Sequence, residues 1–150
     1  MTNGDDEATF LDTNILVYAG VFEAPFHKAA LDAIRRLDQA KAEIWLSRQI
    51  LREYLSTLSR PQPWSDPVPA RTLTSQIRAF ESRFHIAEDN PLVTQHLLNL
   101  MEQMTIGGKQ VHDANIVATM QAYGITRLLT HNTADFTRFS HLITLVPLDV

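Results

Sequence analysis

Short β-prone apolar runs alternate along the chain with longer stretches of helical periodicity. That alternation is the pattern of an α/β domain built on a mostly parallel sheet. Thr9–Leu11, Glu43–Leu46, His85–Ala87, Arg127–Thr130 and Leu142–Val146 read as strands. Between them, helices are expected over Asn14–Gly20, Pro25–Ala40, from an N-cap at Ser47 to Ser59, Arg71–Phe84, Pro91–Met104 and Val111–Tyr123. The second is the clearest: Phe26, Ala29, Ala30, Ala33, Ile34 and Leu37 share one face, with Arg35, Arg36 and Asp38 outside it. Gly107-Gly108 stops the fifth helix and Gly124 caps the sixth. Four of the seven prolines fall between Pro61 and Pro69, so that stretch is expected to be a stiff, exposed loop.

At 150 residues, 45% hydrophobic and without internal repeats, the chain has the size and core of one domain. It has no cysteine, which excludes disulfides, thiolate zinc sites and cysteine nucleophiles and fits a reducing cytoplasm. The start, Met1 to Glu7, carries neither a basic nor an apolar segment of a signal peptide. The longest apolar stretch, Ile15 to Phe22, is far below the roughly 18 residues that a membrane span requires. A soluble, cytoplasmic protein is therefore expected.

Four acids stand out by position. Asp12 follows the first strand and opens a helix, at the carboxyl edge where open α/β sheets bind ligands; simple helix capping is its bland alternative. Glu53 lies just beyond the stripe Ile50, Leu51, Tyr54, Leu55 and Leu58, at a rim between core and water. Asp113 heads the stripe Ile116, Val117 and Met120, and an acid on a buried face must be paired, hydrogen-bonded or metal-bound. The helix dipole explains its tolerance but not its direction. Asp135 follows Asn132 by three residues after the strand that ends at Thr130, a spacing that resembles a capping box and also puts a second acid at the sheet's carboxyl edge.

Carboxylates gathered within a few ångströms repel one another, so such a cluster calls for cations, and hard oxygen donors favour magnesium or manganese over zinc. The net charge of −4 argues against a nucleic-acid binder until the four acids are set aside, which leaves a neutral remainder. Bound divalent cations would reverse the local sign.

Leu11-Asp12-Thr13-Asn14-Ile15-Leu16, Ser47 to Leu55 with Glu53, His112-Asp113-Ala114 and Thr130-His-Asn132-Thr-Ala-Asp135-Phe136 together resemble PIN domains, and among them the VapC-type toxins of toxin–antitoxin pairs. The resemblance covers nearly the whole chain and rests on the order and spacing of segments that are individually common. It implies a three-layer α/β/α sandwich with a central parallel sheet. It assigns Asp12, Glu53, Asp113 and Asp135 to a magnesium or manganese site, with a supporting polar role for Thr130 and Asn132; Asn14 is a further supporting candidate. An RNA substrate, a cognate antitoxin and a homodimer are the partners it implies. The acidic leader and the proline-rich loop depart from the family pattern and bear on substrate choice.

The expected activity is endoribonucleolytic: metal-activated water attacks phosphorus in line, leaving 5'-phosphate and 3'-hydroxyl ends. Asp12 and Asp113 are the expected direct ligands, with Glu53 and Asp135 acting directly or through water. No separate general base is assigned, and His112 and His131 are lone histidines of the kind that is more often structural. One alternative is a phosphohydrolase with Asp12 as nucleophile; it wants an acid where Asn14 stands and a nearby lysine, for which Lys109 is the late candidate. Another is a PIN-like module that binds RNA or protein without turnover. Val21, Phe22 and Phe26 are expected on the two helices after the first strand, as an antitoxin-docking patch or as core or homodimer contacts.

Overall fold

Phe10 and Leu11 are completely buried, as a central strand covered on both faces requires. The computed structural model describes residues 6–149; residues 1–5, which begin the acidic leader, and residue 150 lie outside them. Strands β1 (Thr9–Leu11), β2 (Ile44–Ser47), β3 (His85–Ala87), β4 (Arg127–Leu129) and β5 (Thr144–Val146) form one sheet in the order β3-β2-β1-β4-β5. Every neighbouring pair is parallel. The chain builds outward from β1 to β3, then returns to place β4 on the other side of β1. The crevice between the ends of β1 and β4 is therefore a topological switch point, where open α/β sheets receive ligands.

Helices α1 (Thr13–Gly20), α2 (His27–Gln39), α3 (Arg48–Leu58) and α4 (Ala70–Arg83) accompany the outward half. Helices α5 (Pro91–Gln103), α6 (Gln110–Tyr123) and α7 (Thr133–Phe136) accompany the return. Right-handed crossovers put the two groups on opposite faces, giving the expected three-layer sandwich. Ser47 caps α3 by accepting from the Ile50 N–H, and Gly124 ends α6 at φ 70°. In α6, Ala114, Ile116, Val117, Ala118 and Met120 are all essentially buried, which makes it the central helix of its layer. None of the helices among the described residues is long and apolar enough to cross a membrane.

Several boundaries differ from the sequence reading, and three differences reach the site. Pro25 and Phe26 do not begin α2, because the chain turns at Val21–Ala24 and Phe26 sits at φ 58° before His27 opens the helix. Val21, Phe22 and Phe26 thus lie in the connection between α1 and α2, with Val21 packed against the core and only Phe22 and Phe26 exposed. The capping box at Asn132 does not form: Asn132 precedes α7 at φ −97°, ψ 57°, without a side-chain cap bond. Finally, the proline-rich loop exposes its prolines but half-buries Gln62 and Trp64, and a short antiparallel bridge joins Gln62 to Ser65.

Candidate active site

Asp12 leaves β1 at the switch point and is almost wholly buried. Its Oδ1 accepts from the Thr13 N–H at 2.8 Å, while Oδ2 accepts from Thr130 Oγ1 at 2.8 Å and Asn14 Nδ2 at 3.1 Å. Desolvation nevertheless dominates and raises its pKa, with the charge of Glu53 adding to the rise against these three hydrogen bonds. Asp12 therefore caps α1, as the structural alternative proposed, and faces a cavity as well. Thr130 Oγ1 also accepts from the Asn132 N–H, and Asn14 Oδ1 accepts from the His131 N–H. The segment after β4 is thereby tied to the segment after β1.

Glu53 is half-buried on α3, at the rim that its helical position implies. Its two oxygens accept from Thr13 Oγ1 at 2.8 Å and Gln49 Nε2 at 3.2 Å. Gln49 is itself buried, donates to the His112 carbonyl and accepts from Asn115 Nδ2 at 2.8 Å, so one amide fixes α3 against α6. Thr13, Gln49 and Asn115 escaped the sequence reading. The spacing of Gln49 to Glu53, one helical turn, was the available signal.

Asp113, in the first turn of α6, has a pKa pushed up to about 6 by burial first and then by the charges of Asp135, Asp12 and Glu53, with His112 pulling the other way. All three other acids are thus near enough to act on it electrostatically. All four line a single cavity of about 370 Å³, together with Asn14 and Asn132. Asp135 and Asn132 are the exposed members, on α7 and just before it. Thr130 stands behind Asp12 rather than in the cavity wall. His112 is exposed outside the lining, whereas Gln62 and Trp64 of the proline-rich loop contribute to it.

The donors are all oxygen or amide, and no lysine or arginine is among the lining residues described. That is donor chemistry for magnesium or manganese. Among the described residues no three His, Asp or Glu side chains converge tightly enough to enclose an ion as they stand. Magnesium keeps several of its waters and takes only one or two carboxylates directly, so its binding does not require three such side chains to converge.

The PIN domain family model matches residues 9–142. The chain belongs to the PIN domain family. Ribonuclease VapC48 of Mycobacterium tuberculosis is 26% identical over 131 residues, which span 85% of this chain and 89% of that protein. The fold matches that of VapBC2 from Rickettsia felis, solved bound to a DNA fragment from their promoter, at a TM-score of 0.67 and 24% identity over 95% of this chain and 99% of that one. VapC20 of Mycobacterium tuberculosis, a sarcin-ricin loop cleaving toxin, matches at a TM-score of 0.60 and 18% identity over 81% of this chain and 87% of that one.

Proposed function

We propose that this PIN domain is a magnesium- or manganese-dependent endoribonuclease of the cytoplasm and the toxin of a toxin–antitoxin pair. The observation that carries the reading is the gathering of four carboxylates, Asp12, Glu53, Asp113 and Asp135, in the wall of one cavity at the switch point of a parallel sheet. The likeness to ribonuclease VapC48 supports RNA as the substrate.

Asp12 and Asp113 would hold the cation directly, and Glu53 and Asp135 would hold it directly or through water. When bound, such an ion supplies Lewis acidity that makes water a nucleophile and offsets charge on the leaving 3'-oxygen. The chain's own part is orientation. Thr130 and Asn14 hold one Asp12 oxygen and the Thr13 N–H holds the other, so the carboxylate cannot rotate away from the cavity. Thr13 and Gln49 do the same for Glu53. An aspartyl nucleophile at Asp12 lacks its lysine, because Lys109 is exposed and absent from the cavity wall.

The purified protein should cut single-stranded RNA in Mg²⁺ or Mn²⁺, stop in EDTA and leave 5'-phosphate ends. Cutting that persists in chelator would overturn the metal dependence. Induced in a bacterial host, the parent should arrest growth and Asp113→Asn should not, with co-expression of an adjacent antitoxin frame restoring growth. Normal growth with soluble, RNA-cutting parent protein removes the toxin assignment and leaves the nuclease.

A further inference from the structure

Beside the acidic cavity, three rings from three separate segments come together. Tyr18 of α1 lines the cavity; Phe26 precedes α2; His131 follows β4. The Phe26 and His131 ring centroids are 4.3 Å apart, and Tyr18 meets them edge-on at 5.6 and 5.7 Å. Phe26 keeps 40% of its surface exposed. Its φ of 58° belongs to a backbone region that bulky residues rarely enter, and such outliers concentrate at functional sites. The cluster is also bonded to the acids: the His131 N–H donates to Asn14, which donates to Asp12, and the residue before His131 is Thr130.

An RNA strand entering this cavity meets a difficulty that the same rings resolve. The described cavity wall carries four acids and no lysine or arginine, so phosphate contacts with the protein cannot anchor the strand there. Stacking of bases on aromatic side chains anchors a strand without positive charge, and is open only to unpaired bases. We propose that Tyr18, Phe26 and His131 form a stacking platform for an unpaired nucleobase beside the acidic cavity that Asp12 and Asp113 line. This rests on the ribonuclease reading. A nucleobase fits better than an apolar helix of a protein partner, because two of the three rings carry polar atoms and the cluster is bonded into the acid network rather than standing apart from it.

The test uses the full chain with Asp12→Asn, introduced to prevent cutting, in Mn²⁺. The probe is a short single strand carrying 2-aminopurine, whose fluorescence is quenched on stacking. Phe26→Ala and His131→Ala should each raise Kd about ten-fold and relieve the quench, as expected for losing one stacked base. Phe26→Tyr should keep both. Phe26→Leu, which keeps apolar bulk but has no π face, should behave as Phe26→Ala does. Near-UV circular dichroism and thermal melts establish that each variant is folded. The same sequence as a duplex should bind far more weakly, and single-strand affinity should fall only shallowly with salt.

Unchanged binding and quench in Phe26→Ala and His131→Ala overturn the platform. So does Phe26→Leu binding RNA as tightly as Phe26→Tyr, an outcome that marks the patch as an apolar docking surface for protein. Cutting by the parent together with unaltered binding by these variants removes the platform alone. A parent that cuts no RNA removes the nuclease reading, and the quench measurement still decides the platform.

Discussion

Thr130 Oγ1 lies 2.8 Å from Asp12 Oδ2, a bond between residues 118 positions apart that closes the ends of β1 and β4 on each other. The same hydroxyl oxygen accepts from the Asn132 N–H, so it orients both the buried acid and the start of the last site segment. Thr130→Val keeps the shape and removes both functions. It should cost about 1–3 kcal/mol of stability, because a buried acceptor and an N–H lose their partner. Cleavage should fall about 10–100-fold, the usual effect of losing a group that orients a metal-binding carboxylate. Thr130→Ser should recover most of both. Urea unfolding and single-turnover cleavage would check this, and full activity in Thr130→Val would show that Asp12 needs no such support.

Glu53 offers a sharper contrast, because other glutamates sit on helices without reaching the cavity. Glu53→Gln should abolish cleavage with little loss of fold. Glu102→Gln should leave activity intact, since Glu102 is exposed on α5. Glu81→Gln should as well, even though Glu81 pairs with Arg48 at 2.5 Å, because an exposed ion pair contributes only about 0–1 kcal/mol. Gln49→Leu should reduce cleavage through Glu53 and also weaken the α3–α6 contact, visible as a lower unfolding midpoint. If all three glutamate variants cut alike, Glu53 is an ordinary surface residue.

The parts of this site that were legible in the sequence are those fixed by a single element. Asp12 follows a β-prone run and Asp113 heads a buried helical stripe, and both facts survive any arrangement of the helices. The parts that were not legible arise only when elements dock. Thr13 acts on Glu53 across 40 positions and Asn115 on Gln49 across 66, so no local pattern announces either. Asn132 misled because capping-box spacing describes residue types, whereas the cap requires an extended backbone that Asn132 does not adopt. Phe26 was counted on the apolar face of α2, but the turn at Val21–Ala24 delays the helix and leaves its ring half in water.

Gly20 provides a test of the packing that carries α1 against α3. A Cβ added there meets the Tyr54 hydroxyl, and Tyr54 is fully buried with that hydroxyl donating to Gln76 Oε1 at 2.8 Å. The Gln76 amide in turn donates to the Gly20 carbonyl at 3.3 Å, so neither partner can simply move aside. Gly20→Ala should therefore cost about 1–3 kcal/mol by overpacking. Tyr54→Phe alone should cost about 1 kcal/mol by leaving Gln76 without its donor. In the double variant the clash is gone, so the two costs should fall short of additive by an amount that a four-protein unfolding cycle resolves. Strict additivity would place the Gly20 constraint elsewhere.

Asp113 makes the pH dependence predictable in sign. Its pKa is about 6 in the folded protein against 3.8 for an unperturbed group, raised by burial and then by the other three acids. Between those two values the folded state keeps a proton that the unfolded state has lost. Stability measured in EDTA should thus decline as pH rises through this window, and the full penalty should persist above it. Asp113→Asn carries no charge to penalise, so it should melt above the parent at neutral pH, and the difference should close as pH falls toward about 4. Some decline with pH should remain in Asp113→Asn, because the Asp12 pKa is raised in the same direction. Adding Mn²⁺ reverses the ranking if the acids hold it: the parent should gain stability at neutral pH, gain less below about 6 where Asp113 is protonated, and exceed the gain of Asp113→Asn. Equal melting of the two proteins at neutral pH in EDTA would mean that Asp113 is not under the charge stress of its neighbours, and equal gains from Mn²⁺ would mean that it does not take part in holding the ion.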